Sequence, residues 1–532
     1  MLFLRRLLIF SHRYLGIAIS LMCVVWFASG IVMMYAGGMP RVPEQMRLER
    51  AAPLDLSQVR LTPGEAADRL KGKGEASEPG SRRRGGGTRA ELLTVMQRPA
   101  YRFPGTTVFA DNGEILHEVD LETSRNVASR FLNVPAERIH LEQTLHEPDQ
   151  WTLDNRGGQT LHKFVVDDEA GTEIYVSPRT AEVSQLTTRS QRALAWIGTI
   201  PHWIYFTSLR THQPLWYRTV VWLSALACVL AVLGLILTFT QFRRTKPFQW
   251  SKVVPYRGWM KWHYILGSVF GLFALTWAFS GLMSMEPWDW TNARGLEIRR
   301  DALSGGRLDL SRFGPLDSAA FDAVLRGRTL KEVGFTRIQG DYYYTVAATE
   351  GGSPLEQQRE RLHQPYIVGR RGEPGRLLVA AQTMAVREAP FSVESILERL
   401  KSAAPGTPIV EQTLLTDYDS YYYSRGGQSP LPVLRVKFGD PMRSWVYVDP
   451  RTSEMLTQVH RYSRIERWLY NGLHSLDFEF WYSKRPLWDI GMIVLLLGGL
   501  GTSALGFYLG VKRLIRDLLP SRQPQKKAVG VT

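Results

Sequence analysis

His12-Arg13-Tyr14-Leu15-Gly16, followed by Trp26 and Ser29-Gly30, decides the architecture of this chain because it occurs twice. It returns as His263-Tyr264-Ile265-Leu266-Gly267 with Trp277 and Ser280-Gly281, at a constant offset of 251 (263 − 12 and 281 − 30). A second block repeats at 272. Tyr175-Val176-Ser177-Pro178-Arg179-Thr180-Ala181-Glu182 becomes Tyr447-Val448-Asp449-Pro450-Arg451-Thr452-Ser453-Glu454. In the same frame Arg192 becomes Arg464, Trp196 becomes Trp468, His202 becomes His474, and Pro214-Leu215-Trp216 becomes Pro486-Leu487-Trp488 (486 − 214 = 272). Repetition on this scale constrains the fold before any single residue does. Each half reads span, outer domain, interfacial segment, span. The second outer domain carries about 21 extra residues (272 − 251). Such a parallel repeat packs about an axis along the membrane normal.

The spans are four uncharged apolar runs at 15–35, 219–242, 264–285 and 490–511, each near the ~20 residues a helix needs to cross a hydrocarbon core. Elsewhere the chain of 532 residues faces water, since mean hydropathy is only -0.16 and 22% of residues are charged. A net charge of +15 invites a nucleic-acid reading, but the placement of the charge argues for membrane topology and no nucleic acid. Arg5, Arg6 and Arg13 precede span one; Arg243, Arg244, Lys246, Lys252, Arg257 and Lys261 fill the short central link; Lys512, Arg513, Arg516, Lys526 and Lys527 follow span four. Short basic segments stay cytoplasmic, so both termini and the link are expected inside and the two long segments in the periplasm. The N-terminus looks like a secretory signal. It is expected to remain uncleaved, because the run is long and its sister copy sits mid-chain.

The outer domains read as small α+β units. Val393, Ile396, Leu397 and Leu400 fall at helical spacing and predict an amphipathic helix over 392–403. Alternating stretches at 411–415, 433–438 and 445–448 predict strands, and Glu142-Gln143-Thr144-Leu145 echoes Glu411-Gln412-Thr413-Leu414. A weaker unit precedes each, near 55–120 and 309–385, and 71–89 reads as a flexible Gly/Arg/Ser-rich insertion. The stretch 193–209 is uncharged and resembles a fifth span, but its counterpart carries Asp477 and Glu479, costly in hydrocarbon. Both are expected to lie at the outer interface. The expected order is therefore 1–36 N-terminus and span one, 37–191 outer domain one, 192–242 interfacial helix and span two, 243–262 cytoplasmic link, 263–285 span three, 286–463 outer domain two, 464–511 interfacial helix and span four, and 512–532 cytoplasmic tail.

The H-x-x-L-G…W-x-x-S-G spans, the Tyr-Val-x-Pro-Arg-Thr-x-Glu turn and the late Trp…His segment before a final span resemble the PepSY-associated transmembrane helix family over nearly the whole chain. The resemblance implies a membrane α-helical protein with four transmembrane helices in parallel internal duplication and two α+β PepSY-like periplasmic domains. It includes bacterial inner-membrane haem proteins that reduce ferric siderophores, and also many members of unknown function, so it does not fix the substrate.

Of eleven histidines, only His12/His263 and His202/His474 recur at equal offsets. Histidine both ligates haem iron and titrates near neutrality. On a helix turning about 100° per residue, Gly16, Ser20, Cys23 and Gly30 follow His12 on one face, and Gly267, Gly271, Ala274 and Gly281 follow His263. Such a stripe leaves room for a flat macrocycle; it equally permits close helix approach. His202 and His474 stand among Trp203, Tyr205 and Trp481, as aromatic-belt residues also do. With the repeat and the family resemblance, the expected haem-iron ligands are His12 with His263 near the cytoplasmic face and His202 with His474 near the periplasmic face. A crossed pairing is not feasible, because the span separates the faces by ~30 Å. Cys23 and Cys228 are the only cysteines and lie in spans, and no C-x-x-C-H exists, so the expected cofactor is haem b, two per chain. The unduplicated His117, His140, His146, His162, His212, His363 and His460 are expected at the surface. Arg192 and Arg464 are candidates for haem propionates or headgroups. Tyr342–344 and Tyr421–423 read as sheet packing, and Gly506/Gly510 as helix packing.

No dinucleotide fingerprint or P-loop is present, so electrons are expected from a partner, either quinol in the bilayer or a cytoplasmic reductase. The expectation is a haem-dependent oxidoreductase of the inner membrane passing electrons to a periplasmic ferric siderophore or other ferric chelate. The alternative is a membrane-anchored PepSY module that engages a peptide or protein without redox chemistry. A transporter is disfavoured, because no span carries a buried charge or a Gly/Pro break at mid-depth.

Overall fold

The computed structural model describes residues 2–71, 90–154, 159–242, 253–289, 291, 295–349, 376–424 and 429–518. The insertion at 72–89, most of the central basic link, His363, and Lys526 and Lys527 of the tail lie outside them. The chain divides into a membrane unit (1–34, 196–291 and 465–532) and a sheet unit (35–195 and 292–464).

Four helices of the membrane unit are long and apolar enough to cross a bilayer: α1 Leu2–Ala36, α2 Gln213–Gln241, α3 Gly258–Met283 and α4 Leu487–Leu518. In hydrocarbon only internal backbone bonding is tolerable, which makes each apolar run a helix. The helices outlast the uncharged runs: α1 takes in Arg5, Arg6 and Arg13, and α4 takes in Lys512, Arg513 and Arg516, whose long stems carry charge out toward headgroups. Large apolar side chains such as Leu21, Trp222, Leu272 and Val494 face outward, as a lipid surface requires. α3 packs along both α2 and α4. The small residues make the contacts: a Cβ on Gly16 would sit 3.7 Å from Leu230 of α2, one on Gly267 3.7 Å from Thr502 of α4, and Gly498 and Gly499 admit the rings of Phe270 and Phe27. Of the stripe glycines, Gly16 and Gly267 therefore lie at seams between helices.

Neither interfacial segment is a fifth span. The first breaks into helices Arg189–Ile197, Thr199–Trp203 and Thr207–Arg210, interrupted at Gly198 and at Ile204, which has φ +53°. The second runs as helix Arg461–Arg467, a π-turn Trp468–Gly472, and short helices Leu473–Ser475 and Glu479–Tyr482. Asp477 is buried and paired with Arg467 at 2.9 Å.

In the sheet unit, strands β4 Ile139–Leu145, β5 Leu161–Val166, β6 Glu173–Ser177 and β7 Glu182–Thr187 form one antiparallel sheet in sequence order. Strands β11 Ile409–Leu415, β12 Val433–Phe438, β13 Trp445–Asp449 and β14 Glu454–Val459 form another. Their registers repeat at 272: His162 faces Val176 in one, and Leu434 faces Val448 in the other. Each sheet buries an amphipathic helix, Leu121–Leu132 capped by Asp120 and Val393–Ala403 capped by Ser392. Ile396, Leu397 and Leu400 pack on Val436, Val446 and Val448.

The weaker expected units do not stand apart. Strands β1 Glu91–Val95, β2 Arg98–Phe103 and β3 Thr106–Phe109 of the first half join β8 Thr329–Ile338, β9 Asp341–Thr349 and β10 Leu377–Ala380 of the second in one six-stranded sheet, ordered β10-β9-β8-β1-β2-β3. The joint is an antiparallel β1–β8 pair with Leu92 opposite Val333. Two separate outer domains at 37–191 and 286–463 were expected; the structure fuses them, because a three-stranded meander alone leaves an unpaired edge and each half closes the other's. Tyr343 and Tyr344 are buried in it, with Tyr344 among Phe313, Phe321 and Phe335.

Candidate functional site

The bundle brings the four duplicated histidines together in two pairs. The rings of His12 on α1 and His263 on α3 have centroids 6.3 Å apart. Those of His202, in the helix Thr199–Trp203, and His474, in Leu473–Ser475, are 6.0 Å apart. Each pair joins one histidine from each half.

Every ring is held through Nδ1 by its own half. His12 Nδ1 lies 3.3 Å from the carbonyl oxygen of Leu230 on α2, and His263 Nδ1 lies 3.1 Å from that of Thr502 on α4. A carbonyl only accepts, so the proton sits on Nδ1 and Nε2 is the lone-pair nitrogen. The other pair reaches the same tautomer through serines. Ser29 Oγ donates to Val25 O at 2.7 Å, and Ser280 Oγ donates to Trp277 O at 3.0 Å. Each hydroxyl proton is thereby spent, so Oγ accepts from His202 Nδ1 at 3.0 Å and from His474 Nδ1 at 2.9 Å. Trp277 Nε1 further donates to the His474 backbone oxygen at 2.8 Å. Burial among these helices pushes the imidazole of His202, which lies outside the four spans, down to about 4. It is therefore a neutral base at physiological pH.

Glycines crowd the rings. A Cβ on Gly234 of α2 would lie 3.1 Å from His12 Cε1, one on Gly506 of α4 3.2 Å from His263 Cε1, and one on Gly30 3.5 Å from His202 Cε1. Gly506 was expected to serve helix packing alone; it abuts a histidine, while Gly510 does pack, against Ile17. Leu230/Thr502 and Gly234/Gly506 were missed as site residues. Each pair is 272 apart (502 − 230 and 506 − 234), so the repeat offset was the signal that would have found them.

Two imidazoles per site are too few for a bare ion, and among the described residues no group of three or more His, Cys, Asp or Glu is arranged to hold one. The pairs do suit haem. A metal–nitrogen bond of about 2 Å and about 1 Å from nitrogen to ring centre on each side set the two centres about 6 Å apart. The orienting hydrogen bond from the other ring nitrogen is the usual companion of a histidine ligand. A haem held by His12 with His263, or by His202 with His474, would supply one-electron transfer. Seventeen residues separate His12 from Ser29, a rise of about 25 Å, so the pairs lie toward opposite ends of the bundle. Between them Phe27 meets Trp277 edge-on at 5.6 Å.

The remaining candidates are otherwise engaged. Arg192 donates to Thr187 Oγ1 and pairs with Glu173 at 3.2 Å. Arg464 donates to Arg443 O and lies over the Trp445 ring. Both are thus tied into the sheet unit rather than offered to a propionate. His162 is buried against Thr144, correcting its expected surface position. Tyr422 is buried and stacked on Tyr447.

The sequence model of a family described as PepSY-associated TM region matches residues 9–323, which is 315 of the 532 residues and includes His12, His202 and His263. No curated protein matches the chain.

Proposed function

This chain belongs to the PepSY-associated TM family, and from that premise we propose that it is a b-type haem protein of the bacterial inner membrane that carries electrons across the bilayer to a ferric chelate, such as a ferric siderophore. The observation that carries the proposal is the two imidazole couples, 6.3 Å and 6.0 Å between centroids, each ring fixed by its own half. His12 and His263 would hold one haem, and His202 and His474 the other. Haem held in this way supplies reversible one-electron transfer. The protein's own contribution is to fix the ring tautomers through Leu230 O, Thr502 O, Ser29 and Ser280, to exclude water with Phe27, Trp277, Trp488, Met492 and Leu496, and to set the pairs at opposite ends of the span. The basic termini favour a cytoplasmic side for the His12/His263 pair, where quinol or a cytoplasmic reductase would donate. The chelate would then take electrons on the periplasmic side. Reduction of Fe(III) to Fe(II) weakens its hold by hard oxygen ligands.

The first test is pyridine haemochrome analysis of detergent-purified protein. Two haems b per chain are expected, with His12→Ala and His263→Ala removing one spectral species and His202→Ala and His474→Ala the other. A colourless folded sample after haem-sufficient expression refutes the redox reading and leaves a PepSY binding module. The substrate is tested by stopped-flow reoxidation of dithionite-reduced protein with a ferrous trap. Reoxidation by ferric chelates is expected, whereas oxidation by quinones alone reverses the direction of electron flow.

A further inference from the structure

Arg5 and Gln241 meet at the N-terminal end of α1. Arg5 Nη2 donates to Gln241 Oε1 at 2.6 Å. Guanidinium has no acceptor, so the amide oxygen must face it and the amide nitrogen must point away. That nitrogen is buried and finds no partner among the described residues, in a side chain only 7% exposed. A buried amide donor left unmatched is costly, which makes this nitrogen a position for an acceptor.

The position identifies the acceptor. Arg5 lies seven residues before His12, and Gln241 seven residues after Gly234, the glycine that abuts His12 (12 − 5 and 241 − 234). Seven residues bring a helix back to the same face, about 10 Å along its axis. The charged donor and the orphan donor therefore sit on the same two helix faces as the His12 imidazole and its glycine, displaced together toward the chain terminus. A porphyrin centred on His12 and His263 carries two carboxylates on one edge. Its low-energy orientation turns that edge out of the hydrocarbon, which is the direction of the displacement. The repeat-equivalent of Gln241 is Arg513 (241 + 272), which already pairs with Asp517 at 2.8 Å.

Resting on the haem reading above, we propose that Arg5 and the Gln241 amide form the carboxylate cradle of the inner site, accepting one haem propionate from the cytoplasmic end. Guanidinium and amide N–H would both donate to the carboxylate, a charge-assisted arrangement. The cradle thereby fixes which way round the macrocycle enters the His12/His263 pair.

The test is haem release from the detergent-purified full chain to excess apomyoglobin, followed with natural haem and with haem dimethyl ester, whose carboxylates are blocked. Gln241→Glu keeps the Arg5 contact and would rescue a merely structural glutamine, but it sets a negative charge against the propionate. It is expected to speed one of the two release phases about tenfold and to shift one midpoint potential, leaving the other haem unchanged; Arg5→Gln is expected to do so more weakly. With the dimethyl ester, wild type is expected to release as fast as Gln241→Glu, and the variant no faster than wild type. Unchanged release and potentials in both variants, with two haems bound, overturn the cradle and spare the haem reading. Effects of ester and variant that add show that the anionic oxygen is a lipid phosphate, which also overturns it. Absence of haem from wild type removes both.

Discussion

Ser29 and Ser280 each spend their hydroxyl proton on a backbone carbonyl, and that leaves the outer histidines one way to bond. With alanine at either position, His202 or His474 loses the Oγ acceptor for Nδ1–H that orients its ring. Loss of such an orienting partner costs about 10- to 100-fold in metal affinity. Ser29→Ala and Ser280→Ala are therefore expected to weaken retention of the outer haem by that factor while the inner one stays, read as loss of one species in a haem titration of the apoprotein. At the inner pair the partners are backbone carbonyls, which no side-chain change removes. Gly506 gives access instead: a valine there would crowd His263 Cε1, already 3.2 Å from a bare Cβ position. Overpacking costs about 1–3 kcal/mol, and Gly506→Val is expected to deplete the inner species and leave the outer one.

The two elements that carry the outer histidines differ although they are copies. His202 follows a break at Gly198, whereas His474 follows the π-turn Trp468–Gly472, a geometry often found beside functional residues. The second copy alone is braced by Arg467 and Asp477, whose side chains are 10% and 1% exposed; the equivalent positions are Ala195 and Tyr205 (467 − 272 and 477 − 272). Removing one partner strands the other charge, which costs about 3–5 kcal/mol. Asp477→Ala is expected to lower the melting temperature of the purified protein and release the outer haem on heating before the inner one. Asp477→Asn, which keeps an acceptor for Arg467, is expected to lose less. If Asp477→Ala leaves both haems equally heat-stable, the brace has no bearing on His474.

At the scale of the whole molecule, β1 and β8 join strands from the two halves of the chain in one sheet. The joint carries a fully buried Glu332, paired with Arg47 and with Arg376 at 3.3 Å. Acid sensitivity is expected from two other carboxylates. The Arg47 hydrogen bonds hold Glu44 below its ordinary range, and those of Arg98 do the same for Asp111. A depressed carboxylate contributes stability that is complete above its unfolded value, near about 4, and lost as pH falls through its lower folded value. Thermal melts of the sheet unit by circular dichroism are expected to fall steeply below about pH 4. In Glu44→Gln with Asp111→Asn the fall is expected to be shallower, from a lower starting point at neutral pH. An unchanged pH slope in the double variant assigns the acid transition to other groups.

Four spans, the duplication and the four histidines were written locally. Hydrophobic length, basic flanks and the offsets 251 and 272 need no knowledge of neighbours, because a helix in hydrocarbon satisfies its own backbone. The α+β unit at 392–448 was legible for a similar reason, since helical and alternating periods report which face each element buries, and the Glu142–Leu145 echo of Glu411–Leu414 carried it to the first half. Three things depended on residues distant in sequence. Gly16 and Gly267 were ambiguous between ligand space and helix seam until Leu230 and Thr502 were seen opposite them. The fused six-stranded sheet required an edge from each half to find the other, and edge pairing leaves no periodic mark. The imidazole partners at Leu230 and Thr502 are backbone oxygens, available at every position in any sequence. Only the packing of α2 and α4 against α1 and α3 decides which two of them receive a histidine.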